Sequence, residues 1–390
     1  MKELCEILAA YETLRRQGKP AALATVVAVS GSSYRRPGAR MLLTAAGGAA
    51  GGVSGGCLES DVAQRARAVL AQSRADIVTY DTTEDGDIVF GVGLGCRGVI
   101  QILIEPLTGA RPDLEFLTGL VQRREAGVCA TVFRSEGDTT ARLGDRLLIS
   151  ETGRGHDGIA DEELAARVRP DAGDVLASGK SSAREYAVSG GSTAVFLEVL
   201  TPPQPLVIFG AGHDAPPLVR LAKEMGWHVT IADARPANAT WERFPQADAV
   251  LACPPEEAAS RLALDARTAV VLMTHNYLHD RALLEQLLPS PVRYLGVLGP
   301  KRRTERLLAE LPPAIVSDDA LSRLHSPVGL DIGADTPETI ALSVIAEIQA
   351  VTAGRPGGFL RERPGLIYPP ETSAPSDAGA VLPRCGIAAP

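Results

Sequence analysis

Short apolar runs alternate with helical patterns in the second half of this chain. The apolar runs lie at residues 207–209, 229–232, 249–252, 269–273 and 294–298. The spacing of apolar residues between these runs predicts helices near residues 218–225, 255–263, 278–288 and 301–310. Strands that are apolar on both faces and separated by single helices are typical of a parallel sheet. This half therefore predicts an α/β domain with a right-handed, doubly wound parallel sheet.

The first half combines helical and strand patterns. Apolar residues at helical spacing predict one helix at the N-terminus and a second that carries Leu58, Val62, Ala66 and Val69 on one face. Strands are predicted at residues 21–30, 40–44, 77–80, 99–104, 128–133, 147–149 and 194–199. The pattern indicates an α/β or α+β domain without fixing its strand order. No internal repeat is visible by eye.

A Pro-rich run at residues 201–205 separates the two halves. Proline removes a backbone donor and fixes φ, so this run does not continue a central strand. We place the domain boundary there, which gives a first domain at residues 1–200 and a second at residues 206–352. Residues 353–390 are rich in proline and are predicted to form an irregular tail.

Composition and charge argue against several classes of protein. The formal net charge of −8 argues against broad attraction to nucleic acid or to anionic membrane. The N-terminus does not resemble a signal peptide, and no stretch approaches the roughly 18 apolar residues of a spanning helix, so we expect a cytoplasmic protein. The six cysteines are scattered and lack C-x-x-C spacing, which argues against a disulfide framework or a structural zinc site.

A dinucleotide fingerprint follows the first apolar run of the second domain. Gly210, Gly212 and Ala215 match G-x-G-x-x-A between a strand and a helix, and Asp233 ends the next strand. In such a turn the backbone approaches a pyrophosphate, and the acid binds a ribose hydroxyl. Asp214 places a carboxylate where phosphate would lie. A tight turn required only by packing is the favoured alternative to NAD(P) binding.

Two glycine-rich loops in the first domain each carry a cysteine. Cys57 lies in the loop at residues 51–59 and Cys96 in the loop at residues 91–98. Successive glycines can form a nest of backbone N–H groups. A thiolate at the start of a helix is both nucleophilic and a soft metal ligand. The alternative is a small buried residue in a tight turn.

Arginines and histidines in other loops suggest further ligand contacts. The loop at residues 31–38 offers hydroxyls, an aromatic ring and two guanidinium groups, a set that suits a heterocycle bearing a phosphate. Arg302 and Arg303 follow a parallel strand, and solvated arginines are the alternative in both places. His275 and His279 are four residues apart, but a ligand contact or a capping role for His275 and Asp280 is favoured over a metal site.

Taken together, the motifs resemble one known family. GSSYRRPGARML, GGVSGGCLES, FGVGLGCRGVI, LVIFGAGH, MTHNYLHD, LGPKRR and HSPVGLDIGADTPETIALSVIAEI occur in the family's order between residues 21 and 352. The chain is similar to the XdhC/CoxI family of xanthine dehydrogenase accessory factors. The resemblance implies an N-terminal XdhC/CoxI α/β domain followed by a Rossmann-like doubly wound parallel sheet.

The family resemblance also implies a function. Such a protein binds the molybdenum cofactor (molybdopterin) as cargo and protects it while a cysteine desulfurase supplies its sulfido ligand. It then delivers the cofactor to an apo molybdenum hydroxylase, such as xanthine dehydrogenase. We expect a homodimeric chaperone in the cytoplasm, not an enzyme, that binds neither nucleic acid nor membrane. One alternative is an NAD(P)-dependent oxidoreductase that uses the Rossmann-like domain, and another is a scaffold that only brings the desulfurase to the hydroxylase.

The cofactor-binding residues implied by the resemblance fall into two groups. In the first domain they are Ser32, Ser33, Arg35, Arg36, Gly55, Gly56, Cys57, Glu59, Gly95 and Cys96. In the second domain they are Gly210, Gly212, His213, Asp233, Arg235, His275, Asp280 and Arg302. We expect Cys57 and Cys96 to contact the metal and the arginines to hold the pterin phosphate. Asp214 and residues 276–279 depart from the family pattern. Both departures lie in the Rossmann-like domain and bear on whether that domain binds a cofactor.

Overall fold

The computed structural model describes residues 1–81, 98–365 and 367. The described chain divides into two compact units, one at residues 3–202 and the other at residues 203–367. Each unit is considered by itself below.

The N-terminal unit is built from two halves with the same order of elements. The first half contains α1 (Lys2–Arg16), β1 (Ala21–Gly31), β2 (Arg40–Thr44), β3 (Gly47–Gly51), α2 (Glu59–Gln72), β4 (Asp76–Asp81) and β5 (Gly98–Pro106). The second half contains α3 (Pro112–Arg123), β6 (Gly127–Gly137), β7 (Arg146–Ser150), β8 (Gly155–Asp157), α4 (Glu162–Ser178), β9 (Ser182–Val188) and β10 (Gly191–Leu200).

The two halves repeat in topology and in residue spacing. The first sheet has the order β3-β2-β1-β5-β4 and the second has β8-β7-β6-β10-β9, and the strand pairs are antiparallel. Equivalent residues in β1 and β6, and in β2 and β7, differ by 106 in number, as in Arg40 and Arg146 at the starts of β2 and β7. No internal repeat is visible by eye in the sequence, but the structure contains one. The residues that recur between the two halves are mainly buried positions and turn glycines. They are scattered along the chain, so comparison of whole segments does not reveal them.

The two sheets pack face to face, with α2 and α4 on their outer faces. Leu23 and Leu42 of the first sheet share a core with Cys129 and Leu148 of the second. The opposite face of the first sheet is covered by α2 and that of the second by α4. Helices α1 and α3 contribute to the shared core between the sheets. The unit is thus layered α-β-β-α, and it mixes helix and strand as the sequence predicts.

Reciprocal buried ion pairs cross between the two halves. Arg40 on β2 pairs with Glu198 on β10, and Arg146 on β7 pairs with Glu105 on β5. All four residues are less than a tenth exposed. A buried charge without a partner is costly, so each pair ties a strand of one half to a strand of the other.

The C-terminal unit contains one parallel sheet between two layers of helices. Its elements are β11 (Pro205–Phe209), α5 (Ala215–Glu224), β12 (His228–Asp233), β13 (Ala249–Ala252), α6 (Ala258–Arg261), β14 (Ala269–Leu272), α7 (Tyr277–Leu287), β15 (Tyr294–Val297), α8 (Lys301–Ala309), α9 (Asp318–Ser322), β16 (Leu324–His325) and α10 (Pro337–Thr352). The strand order is β13-β12-β11-β14-β15-β16, and the pairs are parallel. The predicted doubly wound sheet is confirmed.

The two faces of this sheet have separate cores. Helices α5 and α10 pack on one face, and α6, α7, α8 and α9 pack on the other. The chain order reverses between β11 and β14, so the crevice at the carboxyl ends of these strands is where open sheets of this kind bind ligands. Among the described helices, none is long and apolar enough to cross a membrane.

Candidate functional sites

The first predicted loop, between β1 and β2, is anchored to helix α1. Ser33 Oγ donates a hydrogen bond to the Arg35 backbone oxygen at 2.9 Å, which closes the turn. The Arg35 guanidinium forms an ion pair with Glu3 of α1, and its Nε is buried without an acceptor among the described residues. Ser32 is exposed and Arg36 is half-buried. The loop thus has a fixed turn with cationic side chains around it.

The second predicted loop, between β3 and α2, is organised by Ser54 and Glu59. The Glu59 carboxylate accepts hydrogen bonds from the Ser54 N–H at 2.8 Å and from the Ser54 hydroxyl. Ser54 Oγ in turn accepts from the N–H groups of Gly56 and Leu58, both at 3.1 Å. Burial acts to raise the pKa of Glu59, but the hydrogen bonds from Ser54 outweigh it and the pKa lies below its ordinary value. Glu59 therefore holds the loop in shape.

Cys57 is exposed at the point where this loop enters α2. The preceding Gly56 has φ +113, and the space that a Cβ would occupy there has no neighbour within 4 Å. Cys129 and Cys253 are buried, in contrast. The interpretation of Cys57 as a small buried residue in a tight turn is therefore wrong. The Cys57 thiol is open to a soft metal or an electrophile.

The two loops meet at one edge of the first sheet. A Cβ on Gly55 would lie 3.5 Å from the ring of Tyr34, so the first loop lies over the second. Tyr34 is 73% exposed. A cysteine, an aromatic ring and a glycine-rich backbone are thereby brought together, although they are separated in sequence.

Gly95 and Cys96, in the third predicted loop, lie outside the described residues. The described chain resumes at Gly98, which pairs with Gly31 at the end of β1. A Cβ on Gly98 would lie 2.6 Å from the backbone oxygens of Ser30 and Ser32, so only glycine fits this approach. Gly98 therefore lies against the backbone of the first loop.

In the C-terminal unit, Gly210 forms the tight turn between β11 and α5. Its φ is +114, and a Cβ would lie 2.3 Å from the Met273 backbone oxygen, so packing alone demands glycine here. Gly212 follows in the predicted phosphate cradle. A Cβ on Gly212 would lie 2.7 Å from Asp214 Oδ1, which shows that this carboxylate occupies the space above the glycine. The favoured interpretation, a turn required by packing, agrees with this geometry.

Asp214 also joins this turn to the next strand in the sheet. Its Oδ2 lies 2.7 Å from His275 Nε2, and His275, three residues after the end of β14, has the unusual φ of +56. Asp214 Oδ1 is buried without a hydrogen-bond partner among the described residues. His213, by contrast, is exposed. The switch point of the sheet therefore presents a carboxylate and an imidazole rather than a free cradle of N–H groups.

Asp233, the predicted ribose-binding acid, is engaged by its own surroundings. Its Oδ2 accepts from the Ala211 N–H at 2.7 Å and from Arg235 Nη2 at 2.8 Å, and its Oδ1 accepts from Arg235 Nε at 2.9 Å. Burial acts to raise the pKa of Asp233, but these hydrogen bonds outweigh it and lower the pKa. A ribose hydroxyl would compete with the Arg235 guanidinium for this carboxylate.

The carboxylate of Asp280 is also bound by neighbouring side chains of the protein. It is 1% exposed and accepts hydrogen bonds from Thr274 Oγ1 and from Arg303 Nη1, each at 2.5 Å. The Arg303 guanidinium lies 5.8 Å from the centre of the Tyr277 ring. The predicted Arg302 is exposed, so its neighbour Arg303 is the arginine that turns into the sheet edge.

A cleft lies at the ends of β11, β12 and β14. Asp233, Arg235, Cys253, Thr274 and His279 contribute to its walls. In the described part of the chain, no three histidine, cysteine, aspartate or glutamate side chains are grouped to hold a metal ion.

The predicted site residues omit several that the structure brings to these sites. Tyr34 covers Gly55, and Arg303 binds Asp280. Tyr34 and Arg303 each lie next to an arginine that the sequence predicts as cofactor-binding. The sequence therefore identified the two motifs but not the contacts that Tyr34 and Arg303 make. The buried pair Arg40 and Glu198 was missed altogether. The recurrence of Gly38-x-Arg40 as Gly144-x-Arg146 is the sequence feature that could have revealed it.

Comparison with known proteins identifies the family. The model of the XdhC Rossmann domain matches residues 206–348, and that of the XdhC and CoxI family matches residues 14–81 and 120–187. A Bacillus subtilis protein named as a probable xanthine dehydrogenase subunit is 34% identical over 86% of this chain and 94% of its own length. The chain belongs to the XdhC and CoxI family. The resemblance inferred from its loop motifs is confirmed.

Two further matches cover most of the chain. The Escherichia coli molybdenum cofactor insertion chaperone PaoD is 25% identical over 86% of this chain and 84% of its own length. A crystal structure of a xanthine dehydrogenase from Bacillus halodurans aligns with a TM-score of 0.73 and 29% identity, over 92% of this chain and 98% of that one. The fold of this XdhC and CoxI family member is thus shared along nearly its full length.

Proposed function

We propose that this protein is an accessory factor that binds the molybdenum cofactor, supports its sulfuration and delivers it to a molybdenum hydroxylase such as xanthine dehydrogenase. The observation that carries the proposal is the exposed Cys57 thiol beside the loop of Tyr34 and Arg35. The names of two relatives, a molybdenum cofactor insertion chaperone and a probable xanthine dehydrogenase subunit, support the same role.

The chemistry of the loops fits a pterin that carries molybdenum and a phosphate. Molybdenum is bound in this cofactor by sulfur, and a cysteine thiolate is a soft ligand compatible with such a centre. Guanidinium groups such as those of Arg35 and Arg36 suit a phosphate through paired hydrogen bonds. The open space at Gly56 leaves room for a ligand to approach the start of α2.

The partners follow from the task of a carrier. A cysteine desulfurase supplies the sulfur, and an apo molybdenum hydroxylase receives the finished cofactor. The carrier works in the cytoplasm as a homodimer and performs no catalysis itself. Release requires moderate affinity, so a dissociation constant near the micromolar range, about −8 kcal/mol, suits the role.

Retention of the cofactor by cysteine variants tests the proposal. Wild-type protein, Cys57→Ser and the control Cys253→Ser are loaded with molybdenum cofactor, passed through gel filtration and assayed for pterin and molybdenum. Cys253 is buried in the other unit, so its variant reports the effect of losing a thiol away from the loops. We expect wild type and Cys253→Ser to retain the cofactor and Cys57→Ser to lose at least about tenfold in retained molybdenum.

The outcomes separate the competing functions. Equal retention by all three proteins contradicts the role of Cys57. Absence of retention by wild type, together with binding to the desulfurase or the hydroxylase, favours a scaffold that never holds the cofactor.

A further inference from the structure

A pocket lies next to the first loop of the N-terminal unit. Its polar walls are Glu3, Gly38, Arg40 and Glu198, and its apolar walls include Leu4 and Leu200. None of the sequence motifs assigns a role to the charged pair at its base. The pocket is thus a candidate site that the loops alone do not explain.

The pair at the base of this pocket is fixed in place. Arg40 Nη1 donates to Glu198 Oε1 at 2.8 Å and to the Gly38 backbone oxygen at 2.9 Å. A Cβ on Gly38 would lie 2.6 Å from Glu198 Oε1, so glycine at this position lets the carboxylate press against the loop. Among the described residues, Arg40 is the side chain that donates to Glu198. The carboxylate therefore keeps acceptor capacity for another donor.

The second half of the unit contains an equivalent ion pair that neighbouring side chains cover, and we call it the sealed counterpart. Arg146 and Glu105 repeat the ion pair, but Arg111 and Asp113, at the start of α3, cover it. Arg111 Nη2 donates to Glu105 Oε1 at 2.9 Å, and Arg146 Nη1 donates to Asp113 Oδ2 at 3.0 Å. A second guanidinium thus binds the carboxylate beside its own arginine.

The sealed counterpart indicates what the open pocket accepts. Its carboxylate accepts one hydrogen bond from a second planar, N–H-bearing group, and Glu198 in the first half lines the open pocket. We propose that this pocket binds the 2-amino-4-oxopyrimidine edge of a pterin, with Glu198 accepting from the 2-amino group and the N3–H. That edge has the paired N–H groups of a guanidinium, and the apolar walls suit the fused ring. The inference rests on the proposed function and names how its cargo is recognised.

Two small pterins test this recognition without the metal or the phosphate. The probes are 6-hydroxymethylpterin and 6-hydroxymethyllumazine, which carries an oxygen in place of the 2-amino group. Binding is followed by the anisotropy of the probes' own fluorescence, with the full-length chain. We expect wild type to bind the pterin at least about tenfold more tightly than the lumazine, because the lumazine turns an acceptor toward Glu198.

Two variants test whether Glu198 is responsible for the preference for the pterin over the lumazine. Glu198→Gln is expected to abolish the discrimination, whereas Glu105→Gln, which alters the sealed pair in the same way, is expected to keep it. Should Glu198→Gln fail to fold, Glu198→Asp takes its place and is expected to reduce the discrimination. Equal affinity of wild type for both probes overturns the inference, as does undiminished discrimination by a folded Glu198→Gln.

The two proposals fail in different ways. Retention of the intact molybdenum cofactor without any preference between the probes overturns this mode of recognition and leaves the carrier function standing. Preference for the pterin without retention of the intact cofactor supports the pocket and contradicts the carrier function.

Discussion

Asp214 and His275 form a 2.7 Å hydrogen bond across the carboxyl ends of β11 and β14. These strands flank the switch point at which a Rossmann domain binds its dinucleotide. The bond holds a carboxylate above Gly212, where a pyrophosphate would approach the backbone. A negative charge at this position repels a phosphate by about 1 to 4 kcal/mol, depending on how much water screens it. The geometry therefore opposes use of the domain as an NAD(P) site.

Removal of this carboxylate is expected to create affinity for a dinucleotide. Asp214→Val takes away the charge above Gly212 at the start of α5. We expect its dissociation constant for NADH to be at least about tenfold lower than that of wild type. Titration of nicotinamide fluorescence measures the change, with Asp319→Val, at an exposed position, as the control. Micromolar binding of NADH by wild type, with no gain in the variant, would falsify this account of Asp214.

Gly210 is expected to be irreplaceable for reasons of packing. In Gly210→Ala the new methyl group meets the Met273 backbone oxygen at 2.3 Å, and φ is +114. We expect a loss of more than about 2 kcal/mol in the free energy of unfolding. Gly358→Ala is the matched control, because no atom lies within 4 Å of its Cβ position, and it should be neutral. Urea denaturation measures both, and a fully stable Gly210→Ala would show that the turn can relax.

The sealed ion-pair cluster is expected to make the protein sensitive to acid. Burial acts to raise the pKa of Asp113, but the hydrogen bond from Arg111 and the charge of Arg146 outweigh it and lower the pKa from 3.8 to about 2. A lowered pKa stabilises the folded state above the ordinary pKa, and this contribution is lost as pH falls toward 2. Between about pH 6 and about pH 2 the loss amounts to about 2 kcal/mol.

Urea unfolding of wild type and Asp113→Asn at the two pH values isolates this contribution. The variant is less stable near neutrality, but its stability should fall by about 2 kcal/mol less on acidification. Asp76→Asn, at an exposed position, should follow the wild-type dependence. An acid dependence of Asp113→Asn identical to that of wild type would place the sensitivity at other carboxylates.

Thiol reactivity is expected to distinguish Cys57 from the buried cysteines. Cys57 is exposed, whereas burial raises the pKa of the Cys129 and Cys253 thiols. Because the thiolate is the reacting species, iodoacetamide should label Cys57 at least about tenfold faster than either of them. Mass spectrometry of tryptic peptides gives the rate at each cysteine. Labelling of Cys253 as fast as Cys57 would mean that the C-terminal unit opens readily.

The local pattern of apolar residues was sufficient to predict most helices and strands of the C-terminal unit. It did not predict features that depend on contacts between residues distant in sequence. The predicted strand at residues 249–252 coincides with β13, and the helix predicted at residues 301–310 is α8 with one residue more. The two-residue strand β16 was missed, because two half-buried residues produce no periodic pattern. Regular elements are visible because apolar periodicity records which side faces the core.

The contacts within the sites could not be predicted in the same way. Arg40 and Glu198 are 158 residues apart, and no local spacing links them. Asp214 lies at the start of α5, yet its side chain makes no capping bond and contacts His275 instead. His275 makes this contact with a positive φ. Such a backbone conformation is uncommon for a residue other than glycine, so the packing around His275 imposes it and the local sequence does not reveal it.

Expression of the full-length chain in cells that synthesise molybdopterin tests the central claim most directly. The purified protein is assayed for molybdenum by elemental mass spectrometry and for pterin by the fluorescence of its oxidised derivative. The account predicts that both copurify with the wild-type protein in comparable amounts, and that both decline in Cys57→Ser. Purified wild-type protein that carries neither molybdenum nor pterin, from cells whose molybdenum enzymes are active, would contradict it.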